Sequence, residues 1–148
     1  MFDVFMDLSA LRLLVVDDDF AARDLLAEAL AALGANVRVA DSAAAARAAL
    51  SGQQADVIIS DVGMPDEDGC DLLRTIRKLE RADGGRVPAI AFTAAADAGT
   101  RERALACGFD AVVTKPLDIG ALARIVSQVA DTADRLPVGT VGPVARDS

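Results

Sequence analysis

The chain has 148 residues, a net charge of −8, 53% hydrophobic and 26% charged residues, and no histidine, tryptophan or tyrosine. One domain with a proper core fits that length, and a disordered chain does not fit that composition. The acidic balance without a basic cluster argues against nucleic acid and anionic membrane as partners, and no apolar run reaches the ~20 residues that span a bilayer. The absence of histidine excludes a Ser-His-Asp triad, a Cys-His pair and a histidine-ligated zinc. The N-terminus carries two acids and no lysine or arginine among Met1 to Asp7, so it does not read as a secretory signal. Cys70 and Cys107 have no motif spacing and read as reduced, buried thiols of a cytoplasmic protein.

In chain order, Leu11 to Asp17 reads as a first strand. Phe20 to Leu33 then reads as a helix, with Leu25, Leu26, Ala29, Leu30 and Leu33 on one face and Gly34 as its stop. Asn36 to Ala40 is a short strand, and Ser42 caps an alanine-rich helix that stops near Ser51-Gly52. Asp56 to Ser60 is a third strand, followed by a loop over Gly63 to Gly69 and a helix from about Cys70 to Glu80. The stretch Arg81 to Arg86 is expected to be a polar loop. Val87 to Phe92 is a fourth strand, Asp97 to Ala106 a helix ended by Gly108, and Ala111 to Thr114 a fifth strand. Asp118 opens a last helix, with Leu122, Ile125, Val126 and Val129 on its buried face. From about Leu136 the pattern stops. The expected organisation is a flexible leader over residues 1–10, one domain over 11–134, and a disordered tail or linker stump over 135–148.

Strands alternating with helices indicate a parallel sheet, whose carboxyl ends share one edge where ligands bind. Four strands of this chain end in polar chemistry. Leu13-Leu14-Val15-Val16 runs into Asp17-Asp18-Asp19, Val57-Ile58-Ile59-Ser60 into Asp61, the fourth strand into Thr93, and the fifth into Lys115-Pro116. Taken singly, each acid is a turn residue or helix cap, and Asp19 fits an N-cap best. Taken together they form an acidic cluster that needs compensation: two unit charges ~4 Å apart repel by roughly 4 kcal/mol at an effective dielectric of ~20. Mg²⁺, which prefers carboxylate, carbonyl and phosphate oxygens, would supply it, and Lys115 adds a positive charge at the same edge.

With these residues the chain resembles the receiver domains of two-component response regulators, from about Leu11 to Ala130. The matching stretches are Leu13-Leu14-Val15-Val16-Asp17-Asp18, Ser60-Asp61-Val62-Gly63-Met64-Pro65 with Asp68-Gly69, Ala91-Phe92-Thr93-Ala94, and Thr114-Lys115-Pro116. The resemblance implies an α/β, flavodoxin-like (βα)5 sandwich with a five-stranded parallel sheet of order 2-1-3-4-5. It implies Asp61 as the phosphoacceptor, Asp18 as a direct ligand of Mg²⁺ (or Mn²⁺), Asp17 holding the metal through water, and the Gly63 carbonyl as a further ligand. Thr93 would be the switch hydroxyl and Lys115 the contact to the phosphoryl group. The partner would be a histidine kinase or histidine phosphotransfer protein, with output through a protein partner or as a phosphate sink. The protein would be no enzyme beyond its own phosphorylation and dephosphorylation.

Gly63 after Asp61-Val62, and the stretch from Gly85 to Phe109, look most like the receivers fused to hybrid histidine kinases, and the chain as a whole resembles these or stand-alone single-domain regulators. Two positions depart from the family pattern. Glu67 replaces a common apolar residue, and Val112 stands where many members carry the Tyr or Phe that couples the site to output. Two other readings stay open: a phosphatase of the haloacid dehalogenase type built on Asp17-Asp18-Asp19, and a binding module independent of phosphorylation.

Overall fold

The computed structural model describes residues 7–63, 68–83, 86–94 and 97–135. Five strands alternate with five helices: β1 (Arg12–Val16), α1 (Phe20–Ala32), β2 (Asn36–Ala40), α2 (Ala43–Gly52), β3 (Val57–Ser60), α3 (Gly69–Asp83), β4 (Ala89–Thr93), α4 (Ala98–Cys107), β5 (Ala111–Thr114) and α5 (Ile119–Arg135). The strands form one parallel sheet of order β2-β1-β3-β4-β5, the order that the resemblance implied.

Both faces of the sheet are covered, so its central strands β1, β3 and β4 are nearly continuous apolar runs rather than alternating, whereas the edge strand β2 carries Asn36 and Arg38. The period of two sorts β1 cleanly. Leu14 and Val16 pack with Ile58, Ala89 and Ala91 against α2, α3 and α4, through Ala43, Ala46, Leu72, Leu73, Ile76 and Ala104. Leu13 and Val15 pack with Val57, Ile59, Ile90, Phe92 and Val113 against α1 and α5, through Leu26, Leu30, Leu122, Ala123 and Val126.

The helix ends follow from local chemistry. Asp19 caps α1 by accepting from the Ala21 N–H, Ser42 caps α2 from Ala45, and Asp97 caps α4 from Thr100. At the end of α1, Gly34 takes φ +98°. Its N–H donates to Ala31 O, and the next N–H, of Ala35, donates to Leu30 O. That left-handed exit suits glycine.

Several expectations need correction. Leu25 lies 57% exposed rather than on the buried face of α1. It is rotated by about 100° from Leu26 and so falls off the stripe that Leu26 and Leu30 bury. The polar loop expected at Arg81 is helix up to Asp83, because Arg81, Ala82 and Asp83 contain no helix breaker. β4 begins at Ala89, not Val87, and includes Thr93. Leu8, counted with the leader, is buried in the α1–α5 face, and its N–H donates to Leu33 O. The tail expected after Leu136 lies outside the described residues.

The cysteines give the largest difference. Both are buried helical residues, as expected, but the structure joins Cys70 to Cys107 in a disulfide between α3 and α4, with Cα atoms 5.4 Å apart. Their sequence separation of 37 follows no motif. Their meeting is set by the packing of α3 on α4, which no local pattern reports.

Among the described residues no helix is long and apolar enough to cross a membrane.

Candidate functional site

Sheet register assembles the site. β1 and β3 are neighbours with Val16 opposite Ser60, and the Asp61 N–H donates to Val16 O. The next residue on each strand, Asp17 and Asp61, therefore emerges side by side at the carboxyl edge. On the other side Ser60 is opposite Ala91 and Thr93 opposite Thr114. The Lys115 N–H donates to Thr93 O at 2.8 Å, which fixes the start of the lysine side chain at the same edge.

Carboxylate oxygens of Asp17, Asp18 and Asp61 lie within 4.8 Å of one another. Asp17 is buried, Asp61 half-buried and Asp18 exposed. Lys115 Nζ donates to Asp17 Oδ2 at 3.0 Å and lies 3.6 Å from Asp61 Oδ2, while its ammonium sits over the Phe92 ring at 5.6 Å. Asp17 and Asp61 thus share one lysine, and Asp18 adds a third carboxylate to the cluster. Burial raises the Asp61 pKa above the ordinary carboxylate value and nearby Asp17 adds to the rise. Lys115 and the backbone N–H groups of Gly63 and Val62 only partly offset it. Burial disfavours the charged lysine, but the hydrogen bond to Asp17 and the charges of Asp61 and Asp17 outweigh this and raise the Lys115 pKa.

The backbone holds this arrangement tightly. Asp17 Oδ1 accepts from the Asp19 N–H, and Arg23 on α1 donates to the Asp17 carbonyl at 3.0 Å. The Ser60 hydroxyl donates to the Asp61 carbonyl at 2.8 Å. The Gly69 N–H donates to Val62 O at 2.7 Å, and a Cβ at Gly69 would run into the Asp61 carbonyl. Arg23 and Ser60 were not legible as site residues, because their bonds go to main-chain oxygens and leave no side-chain signature.

Asp17, Asp18, Asp61 and Lys115, four of the expected site residues, thus form one constellation, and Thr93, which is buried, ends the adjoining strand. Asp19 turns away to cap α1. Asp118 is likewise occupied, accepting from the Ala121 N–H at the start of α5. A phosphatase built on Asp17-Asp18-Asp19 would need Asp19 turned into the site and a further acid downstream of Lys115, and both candidates are spent on helix ends. Val112 is half-buried on the α4 face of the sheet, opposite Ala91 and two register positions before Thr93. Met64, Pro65 and Glu67 lie outside the described residues. The donor set is all oxygen, which fits a hard divalent cation of the Mg²⁺ type.

The model of the response regulator receiver domain matches residues 13–127. An uncharacterised 14.6 kDa protein of Leptolyngbya boryana is 42% identical over 82% of this chain and 91% of its own length. The sensor histidine kinase RcsC of Salmonella typhi is 36% identical over 82% of this chain, and the virulence sensor protein BvgS of Bordetella bronchiseptica 39% over 84%. The chain spans only 12% and 10% of those two proteins. Among solved structures, the signal receiver domain of a histidine kinase from Syntrophus aciditrophicus aligns with a TM-score of 0.74 at 28% identity, covering 90% of this chain and 99% of that one. A CheY-like receiver domain protein from Methanospirillum hungatei aligns with a TM-score of 0.76 at 26% identity, covering 85% and 98%.

Proposed function

Because the chain belongs to the response regulator receiver domain family, we propose that Asp61 is its phosphoacceptor and that the donor is a phosphohistidine on another protein. The chain has no histidine, so the phosphoryl group must come from outside. A carboxylate oxygen of Asp61 attacks the phosphorus, the P–N bond breaks, and the electron pair leaves with the partner's imidazole. The observation that carries this reading is Lys115, placed 3.0 Å from Asp17 and 3.6 Å from Asp61 at the mouth of the acidic cluster.

Each residue has a role that its position supports. The N–H groups of Val62 and Gly63 orient the Asp61 carboxylate. Lys115 is in reach to neutralise charge on the phosphoryl oxygens, and Thr93, at the end of the adjoining strand, is the proposed hydroxyl donor to one of them once Asp61 is modified. Asp18 and Asp61, with the Gly63 carbonyl, are the proposed direct ligands of Mg²⁺, and Asp17 a ligand through water. The cation supplies charge neutralisation between acceptor and donor. Output passes to a protein partner, or the domain drains phosphoryl groups as a sink.

Intact mass tests the reading. With Mg²⁺ and acetyl phosphate or a histidine kinase, the mass should rise by one phosphoryl unit, and Asp61→Asn should abolish the rise. Undiminished labelling of that variant would move the acceptor elsewhere.

A further inference from the structure

We propose that Cys70 and Cys107 form a reversible thiol–disulfide site that sets how freely α4 moves relative to the loop after Asp61. The two sulfurs are bonded across α3 and α4, and each also has a backbone carbonyl nearby that can take a thiol proton. As thiols, Cys70 has the Arg103 carbonyl 3.7 Å away as acceptor and Cys107 the Ala104 carbonyl at 3.2 Å. Neither redox state leaves a buried sulfur without a partner.

The position gives the bond its consequence. Cys70 directly follows Gly69, whose N–H is bonded to Val62 O in the loop carrying Asp61 and Gly63. Cys107 is the last residue of α4, and α4 starts from its cap Asp97, four residues after Thr93. The two elements that leave the site are therefore joined by one covalent bond, beside an Arg103–Asp68 ion pair at 3.5 Å and the Arg77 bonds from α3 to Gly108 O, just past the end of α4, at 2.7 and 3.1 Å. An ion pair of that kind contributes about 0–1 kcal/mol, so reduction leaves the body of α4 held mainly by packing, with Arg77 fixing only the carbonyl just past its last turn.

The chemistry balances with reagents of two classes. A hydroperoxide takes two electrons from the pair. The thiolate of one cysteine attacks a peroxide oxygen, the O–O bond breaks, and a sulfenic acid forms. The second thiolate then displaces its oxygen as water and closes the S–S bond. A dithiol reverses this: one thiolate opens the bridge, its second closes the reductant's own disulfide, and two protons end on Cys70 and Cys107. Cys107 is the entry point, since Cys70 is fully enclosed and Cys107 is 7% exposed at a helix end.

The coupling to phosphorylation rests on the phosphoacceptor reading, but the redox site does not. The test compares the whole protein after hydrogen peroxide and after dithiothreitol. Readouts are alkylation of denatured samples, hydrogen exchange of α4, and binding of beryllofluoride with Mg²⁺. We expect two blocked thiols after peroxide and two alkylated ones after dithiothreitol. Exchange in α4 should be slower when oxidised. Beryllofluoride affinity should be roughly 5-fold or more weaker in the oxidised form, the low end of usual coupling between sites. Cys107→Ser should show no redox dependence, and Cys70→Ala gives the same control from the other sulfur. Two alkylatable thiols after peroxide, or identical α4 exchange in the two states, would overturn the proposal. If beryllofluoride binds neither state, the phosphoacceptor reading falls, and the α4 exchange still decides the redox site. Equal beryllofluoride affinity in both states would overturn the coupling.

Discussion

Asp18 and Asp19 are adjacent in sequence, but they do different work. Asp19 caps α1 through the Ala21 N–H, whereas Asp18 shares the acidic cluster with Asp17 and Asp61. Loss of a cap costs about 1 kcal/mol of stability and leaves the cluster in place. Asp18→Ala should therefore weaken Mg²⁺ affinity by tenfold or more (about 1.4 kcal/mol), and Asp19→Ala should mainly lower the melting temperature. NMR titration reads both, since the chain has no tryptophan or tyrosine. A greater loss of Mg²⁺ binding in Asp19→Ala would reverse the assignment. Asp61 carries a second consequence. Burial and Asp17 raise its folded pKa, so the native state holds that proton more tightly than the unfolded chain. The contribution to stability is present below the ordinary carboxylate value and is lost as pH rises through the raised one. In chelator at neutral pH, Asp61→Asn should melt higher by about 2–4 °C, the shift that about 1 kcal/mol produces in a chain of this size. The gap should close in acid, and an Asn variant that melts lower at neutral pH would contradict the electrostatic account.

At the scale of elements, the α3–α4–β5 corner is held by one side chain. The Arg77 guanidinium, 12% exposed, donates to Gly108 O at 2.7 and 3.1 Å and to Val87 O at 2.6 Å, and pairs with Asp110 at 3.2 Å. Arg86 pairs with the same Asp110 from the β4 side. Gly108 itself takes φ +124° and lies against the Arg77 side chain. Arg77→Ala removes charge-assisted bonds from carbonyls in a partly buried corner, and it should cost about 2–3 kcal/mol in denaturant unfolding. A loss under about 0.5 kcal/mol, the size of an ordinary surface change, would show that the corner is held by its apolar packing alone. This corner was hidden in the sequence: an arginine on a polar helix face looks solvated until the fold brings two carbonyls and a carboxylate to it. The strands and caps were legible because their signals are local. Ser42, Asp97 and Asp19 each lie next to the N–H groups they bind. The end of α3 was misread for the opposite reason, since a polar run without proline resembles a loop and folds as helix.

At the scale of the whole molecule, the site was readable because a parallel sheet converts strand ends into neighbours. Asp17, Asp61, Thr93 and Lys115 span 98 residues between first and last, but each ends or follows a strand of one sheet. The Cys70–Cys107 bond was unreadable because it depends on how two helices lie across one another. The two ends of the described chain add something else. Asp7, Ala10 and Leu11 lie beside Arg124, Gln128 and Asp131 of α5, around one shallow groove. β1 begins there and its far end carries the acids, so both chain ends emerge opposite the mouth of the site. A cassette wired this way can be spliced between larger modules without its reactive edge being covered. A folded carrier fused before residue 7 or after residue 135 should leave the rate of acetyl phosphate labelling within about twofold, because no fused mass stands in the donor's path. A tenfold slower fusion would mean that the donor approaches along the strand axis from the rear.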